Sequence, residues 1–416
     1  HLLVTNSAGQ TGRESSAVHF VAELLQSAPS VKILITSREK LNLQSEQLYS
    51  IHGMELATTT TLASAEAATA VQLFVQSARR VQPGFTLTAQ NLPALLRICQ
   101  LVEGMPLGLE LAAAWVEMLS LEEIAAEIAQ SLDFLAVDWP ELPARQRSMR
   151  GVFEWSWHLL SDSERQVLRQ LAVFRGGFTR AAAEQVAGAS LRVLTSLLQK
   201  SLLRRNASSG EASTVRYELH ELLRQFAAEQ LSTQPDEQSS VAQRHSTFYL
   251  ALVAKRERRL ARNELKEAAS EIQSELDNVR QAWLAAVQHD AWSELGAASY
   301  ALRLFYTFTS LEPEGEQLFQ LAIERLRLSS SPLNQGLRSK LLGFQAILQI
   351  AQLKHQEAMA AAQEALAINA ALPPDQRDGA GETFAPLALG MVLVLKSPGQ
   401  EARTLLEQAV TLAHQH

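Results

Sequence analysis

Apolar positions recur every three or four residues along most of this 416-residue chain, a spacing that predicts helices. Over 17–25 the apolar face is Ala17, Phe20, Val21, Leu24 and Leu25, and Pro29 closes the run. The pattern then changes. Val31-Lys32-Ile33-Leu34-Ile35-Thr36 is a short β-rich run of the kind found in buried parallel strands, and 47–51 has the composition of one more strand. One or two strands do not make a sheet. Residues 1–56 therefore read as the tail of an α/β core completed by upstream segments, and the chain as a fragment of a longer protein. Residues 57–138 read as all helix, with amphipathic runs over 68–81, 92–102 and 109–119 broken by Pro83-Gly84 and by Gly104-Met105-Pro106-Leu107. Ser120 and Glu123 have the spacing of a capping box. Pro140 and Pro143 mark a linker.

Residues 146–235 have another texture. Helical spacing over 148–160 carries Phe153, Trp155 and Trp157. Ser161 and Glu164 form a second capping box, opening a helix to about Phe174, and Gly176-Gly177 breaks it. Thr179 caps a short helix and 191–199 makes a third. Two β-compatible runs, 201–205 and 214–219, flank a polar loop, and a last helix covers 220–231. Counted from Ser161, three helices followed by a hairpin give the order of a winged helix. Residues 240–416 are helical with a weak repeat in which a small residue returns at Ala322, Ala365 and Ala409. That period predicts stacked helical hairpins, an α-solenoid resembling tetratricopeptide arrays, although it exceeds their usual period of about 34 residues.

Composition narrows the function. Hydrophobic residues make up 47% and charged residues 19%, which is globular. No uninterrupted apolar run of about 18 residues occurs, so no membrane span is expected. The one cysteine, Cys99, excludes an internal disulfide and any cysteine-built metal site. The net charge is −7, unevenly spread: residues 145–235 carry 13 basic and 8 acidic side chains, and the remainder 24 and 36. A basic winged helix in an acidic chain is compatible with DNA binding, and equally with docking on acidic neighbours. No carboxylate, histidine or hydroxyl cluster has the spacing of a catalytic or metal site, so the chain alone is expected to catalyse nothing.

Four segments carry candidate binding chemistry. Gly9-Gln10-Thr11-Gly12-Arg13-Glu14-Ser15 lacks both the spacing and the Lys of a phosphate loop. Thr36-Ser37-Arg38 ends the β-rich run and would place two hydroxyls and a guanidinium at the carboxyl edge of a parallel sheet, where ligands of such sheets bind. Taken alone it also fits any strand end. Gly104-Met105-Pro106-Leu107 fits an ordinary helix–helix elbow. His220, where the last wing strand meets a helix, fits a cap or a satisfied core group, and its ring can also donate to a phosphate.

In this order, Thr36-Ser37-Arg38, Gly104-Met105-Pro106-Leu107 and Leu219-His220-Glu221 resemble the STAND class of signal-transduction ATPases, and within it the NB-ARC-type or AfsR/LuxR-associated bacterial regulators. The resemblance covers residues 1–235 and extends loosely through Leu276-Asp277-Asn278-Val279-Arg280 and the repeats. It implies that 1–56 is the end of a P-loop NTPase core, 57–138 a helical lid, 146–235 a regulatory winged helix and 240–416 a sensor solenoid. It further implies that Thr36, Ser37 and Arg38 lie at a sensor strand facing the γ-phosphate. By the same resemblance, Gly104, Pro106 and Leu107 would belong to a GLPLAL-like motif with Pro106 against adenine, and His220, in an MHD-like motif, would contact the β-phosphate of ADP. Met105, Gly108 and Glu221 depart mildly from those motifs. The Walker A lysine and Walker B carboxylates are missing, which places both upstream of His1. The expectation is a piece of a cytoplasmic regulator switched by ADP and ATP with Mg in the intact protein. This piece alone is expected to hold no cofactor. A protein or small-molecule signal would act on the repeats, the active state would self-associate, and DNA would be reached through an output domain elsewhere or, less favoured, the winged helix. Two alternatives stand beside it: an interaction scaffold without nucleotide chemistry, and a winged-helix DNA binder.

Overall fold

The computed structural model describes residues 11–416 except Pro29, 36–40, 42, 48, 50, 52, 58–60, 138–142, 144–145, 208–214, 263, 397–398 and 416, and for 11–17 the backbone alone. The described chain is mostly helical and forms two compact units. The first holds residues up to Ala172 and then Thr179–Pro235. The second holds Val173–Phe178 and the chain from Asp236 on.

The first unit begins with α1 (Thr11–Ser27), α2 (Leu62–Ala67), α3 (Thr69–Val81), α4 (Leu92–Leu101), α5 (Pro106–Ala113) and α6 (Leu121–Gln130). Two expectations are corrected here. Residues 31–35 form no strand, and the described residues of 47–51 form none either. The physical reason is that a parallel strand exists only through its neighbours. None is present among the described residues, and Leu34 stands 95% exposed. The expected helix over 109–119 instead opens at Pro106, where the missing N–H costs nothing, and ends at Ala113. Apolar faces of α3, α4, α5 and α6 meet in a core around Phe74, Leu95, Ile98, Leu109 and Ile124. Ser120 caps α6 with the reciprocal Glu123 bond of the capping box.

The winged helix follows: α7 (Met149–His158), α8 (Asp162–Leu171), β1 (Phe178–Thr179), α9 (Arg180–Ala187), α10 (Leu191–Gln199), β2 (Arg204–Ala207), β3 (Val215–Glu218) and α11 (Glu221–Ser232). The sheet has the order β1-β3-β2, and β2 pairs antiparallel with β3 from Arg204 opposite Glu218 to Ala207 opposite Val215. The hairpin thus runs two residues deeper into the expected polar loop, and α8 stops at Leu171 rather than Phe174. Phe153 and Trp157, one helical turn apart, pack on Phe226 of α11 at 6.1 and 5.8 Å between ring centres, while Trp155 on the other face is exposed. The second capping box forms as spaced, and Glu164 goes further: its carboxylate also accepts from Ser196 and Lys200 and so joins α8 to α10.

The second unit comprises α12 (Pro235–Ala254), α13 (Glu257–Leu260), α14 (Leu265–Gln273), α15 (Leu276–Gln288), α16 (Trp292–Phe308), α17 (Glu312–Leu326), α18 (Pro332–Ala351), α19 (His355–Ala371), α20 (Gly379–Lys396) and α21 (Gln400–Gln415). From α16 on these are hairpins, with α16, α18 and α20 packed in succession and α17, α19 and α21 each against its predecessor. Ala322, Ala365 and Ala409 sit buried at equivalent places on α17, α19 and α21. The long period follows from helices of 20 and 17 residues in one repeat. Asn278 on α15 is fully buried. Its amide accepts from the N–H of Arg175 and donates to the carbonyl of Gly177, both at 2.8 Å, and so satisfies a turn a hundred residues earlier. By length and composition α20 is apolar enough to cross a membrane, yet it holds Glu382, Lys396 and Pro386 and packs against α18, α19 and α21.

Candidate functional site

The elbow between α4 and α5 and the N-terminus of α11 meet in the first unit, 118 residues apart in sequence. The elbow is built by two consecutive left-handed residues, Glu103 (φ 46°) and Gly104 (φ 66°), whose N–H groups cap the end of α4 at Gln100 and Cys99. Gly104 is obligatory twice over. Its φ disfavours any side chain, and a Cβ there would lie 2.3 Å from the carbonyl oxygen of Met54. Met54 N–H in turn donates to Gly104 O at 2.8 Å, so the 53–55 segment is strapped across the elbow. Gly108 is already tight: a Cβ would stand 3.0 Å from Cβ of Val102.

His220 is the N-cap of α11 and is buried. Leu222 N–H donates to its Nδ1 at 3.1 Å, which leaves the proton on Nε2, and Nε2–H donates to the carbonyl of Val102 at 3.2 Å. Burial, then the nearby charge of Arg204, pushes the imidazole down to about 4, so the ring is neutral near pH 7. Glu103 completes the junction. One carboxylate oxygen accepts from the N–H of Glu221 at 2.9 Å, at the positive end of α11, and the other pairs with Arg204 on β2 at 2.5 Å and stands 3.8 Å from His220 Nε2. Glu221 itself holds the buried Arg224 at 2.7 and 2.8 Å.

Of the residues expected at a nucleotide site, Gly104, Pro106, Leu107 and His220 therefore fall in one neighbourhood. Thr36, Ser37 and Arg38 lie outside the described residues. The fit to a nucleotide is partial. Pro106 is exposed and Leu107 half-buried, a surface suited to the flat face of a base. His220 has both ring nitrogens bonded to the backbone, so it offers nothing to a phosphate until the Val102 bond opens. Gly104 is used to pass Met54. The arrangement holds no nucleophile paired with a base; it is a latch of three polar links between an elbow, a wing strand and a helix start. Glu103 and Arg204 are the members that sequence reasoning missed. The one signal, an acid directly before Gly104, has no meaning until its distant partners are known.

Residues 160–232 match the family model described as a winged helix-turn-helix domain. A candidate HTH-type transcriptional regulator of Mycobacterium bovis (strain ATCC BAA-935 / AF2122/97) is 33% identical over 345 residues, covering 79% of this chain and 36% of that protein. An uncharacterised protein of Mycobacterium tuberculosis (strain ATCC 25618 / H37Rv) is 31% identical over 220 residues, 51% of this chain and 53% of that protein. This chain thus spans about a third to a half of the length of the curated relatives it matches. A solved Signal Transduction ATPase with Numerous Domains from Pyrococcus horikoshii, with a tetratricopeptide repeat sensor, aligns over 83% of this chain and 53% of its own at 14% identity. Its TM-score of 0.24 is too low to establish a shared fold. The chain is a mostly helical protein with a winged-helix domain, similar in sequence to candidate transcriptional regulators.

Proposed function

We propose that this chain is the lid, winged-helix and sensor portion of a cytoplasmic, nucleotide-switched transcriptional regulator of the STAND type. The observation that carries the reading is the meeting of the Val102–Pro106 elbow with His220 in one latch. It is supported by the winged helix-turn-helix match and by the names of the relatives. In the intact protein ADP or ATP with Mg would supply the charge that distinguishes two states. Pro106 and Leu107 would lie against the base, Thr36, Ser37 and Arg38 would face the terminal phosphate, and His220 would reach a phosphate by giving up Val102. A two-state element biased by such differential contacts is sufficient for a switch. The helical hairpins of the second unit would receive a protein or small-molecule signal, and the open state would self-associate.

The test uses the complete gene product. Nucleotide released on denaturation is identified chromatographically, and assembly is followed by light scattering, for the wild type, His220→Ala and Pro106→Ser. The expected result is a wild type that retains ADP and both variants with reduced occupancy and more assembly. Unchanged occupancy and assembly in both would overturn the reading.

A further inference from the structure

The second unit buries a positive charge that no carboxylate among the described residues pairs with. Arg303 on α16 is 8% exposed. Its guanidinium carbon lies 5.0 Å from the ring centres of Tyr300 and Phe384 and 5.7 Å from that of Phe344. Its Nε is buried with no hydrogen-bond partner, and among the described residues no carboxylate comes within ion-pairing distance. Other arginines of this unit have a carboxylate partner, Arg280 in Glu314 and Arg338 in Glu364. A second cation over the Phe344 ring, Lys340 on α18, is already engaged: its Nζ donates to Gly296 O at 3.1 Å and faces Asp378 at 3.7 Å.

Three rings attract a guanidinium through their negative faces, and the Tyr300 hydroxyl offers it a neutral hydrogen-bonding partner, but none of them supplies a counter-charge. Burying a cation without a counter-charge opposes folding, and a methionine would fill similar space without that penalty. The cage is nonetheless held firmly. Gly381 and Gly343 let α18 and α20 approach until a Cβ on either would stand 3.0–3.1 Å from the other helix, which sets Phe384 against Phe344. Tyr300 and Phe384 remain half-buried rather than sealed, so the cage has an open rim.

We propose that Arg303 is an anion receptor of the helical hairpins and takes one carboxylate group, with Tyr300 and Phe384 flanking the bound group. One uncompensated charge, beside a lysine already bonded, balances a single negative charge and so favours a carboxylate over a phosphate. The guanidinium fork matches its two oxygens. This deepens the signal-receiving role given above to the second unit. It is tested by binding alone, so its failure is separable from any failure of nucleotide switching.

The experiment titrates the 416-residue chain with sodium benzoate, with a pentapeptide bearing a free C-terminal carboxylate and with the same peptide amidated, at matched chloride. The readouts are the thermal midpoint and the NMR signal of the Arg303 Nε–H. The expected result is a saturable rise in midpoint with benzoate, a moved Nε–H signal, and a loss of at least about tenfold in apparent affinity in Arg303→Met, the scale of a charge-assisted pair. A matching response to the free-acid peptide and none to its amide identifies a chain terminus as the source, while a response to benzoate alone identifies a small acid. Both support the proposal. It is overturned if neither acid moves the wild-type Nε–H signal, if the amide acts as well as the acid, or if Arg303→Met responds like the wild type. The Nε–H measurement needs no variant, so it decides the matter even if Arg303→Met does not fold.

Discussion

At the scale of single residues, His220 shows how a polar side chain becomes part of a fold without catalysis. It caps one helix and anchors the end of another. Replacing it by alanine removes both bonds and is expected to cost about 2 kcal/mol in denaturant unfolding. Asparagine keeps the cap and should recover about half. Its titration gives a sharper signature. The folded ring titrates at about 4, below the ordinary 6.5, so the unfolded chain takes up the proton first. Stability is complete above about pH 6.5 and falls as the pH drops from there to 4, by about 1.4 kcal/mol per pH unit for the ring. His245 in the second unit, pushed down to about 4 chiefly by burial, should do the same there. Unfolding of His220→Asn followed from pH 7 to 4 should show a flatter dependence than the wild type. An unchanged slope would mean that His220 is not the neutral, buried group described here.

At the scale of elements, what was legible in the sequence was what is locally determined. The boxes at Ser120–Glu123 and Ser161–Glu164 need only four residues, and both form at the expected places. The order of helices and hairpin in the winged helix was readable for the same reason. The run at 31–36 has the β-branched composition of a strand, but strand formation is decided by partners, which composition cannot supply, and its described part, 31–35, forms none. Gly104 and Pro106 were readable as an elbow, whereas the latch that Glu103 and Arg204 add depends on pairings across about a hundred residues. Two substitutions test these elements. Gly104→Ala forces a side chain into a left-handed backbone and onto Met54, and should destabilise the first unit by about 2–4 kcal/mol in urea unfolding. Glu164→Gln keeps one oxygen for the capping box and removes the charge facing Lys200 together with the oxygen that accepts from Ser196. Burial opposes ionisation of Glu164, but hydrogen bonds from Ser196, Ser161 and Lys200 outweigh it and draw the carboxyl down to about 2. Its contribution is therefore present above the ordinary 4.5 and lost as the pH falls from 4.5 to 2. The variant should be about 1–2 kcal/mol less stable at pH 7 and should lose less of its remaining stability through that window.

At the scale of the whole molecule, the distribution of charge bears on how a winged helix-turn-helix domain is used. The excess of basic over acidic side chains between 145 and 235 looks like a DNA footprint in the sequence, yet several of the basic side chains there are already paired within the first unit. Arg150 pairs with Asp133 and Glu229, Lys200 with Glu164, Arg204 with Glu103, and Arg224 with Glu221. The third helix of a winged helix is the element that enters the major groove. Here α10 carries Arg192 as its only basic residue, while Leu191 and Leu194 supply apolar bulk, and Lys200 just beyond its end is tied down. Phosphate affinity scales with the number of free cations brought to the backbone, and the chain as a whole carries −7. The 416-residue chain is therefore expected to leave a fluorescent 30-base-pair duplex unbound at micromolar protein in 150 mM salt. It should show only weak anisotropy changes at 50 mM, independent of sequence. In a regulator of the proposed kind, the winged helix would then serve as the moving partner of the elbow latch, and contact with DNA would belong to another part of a longer protein. Tight binding that falls steeply between 50 and 200 mM salt, and is lost in Arg192→Ala, would reverse that assignment and make α10 the reading helix.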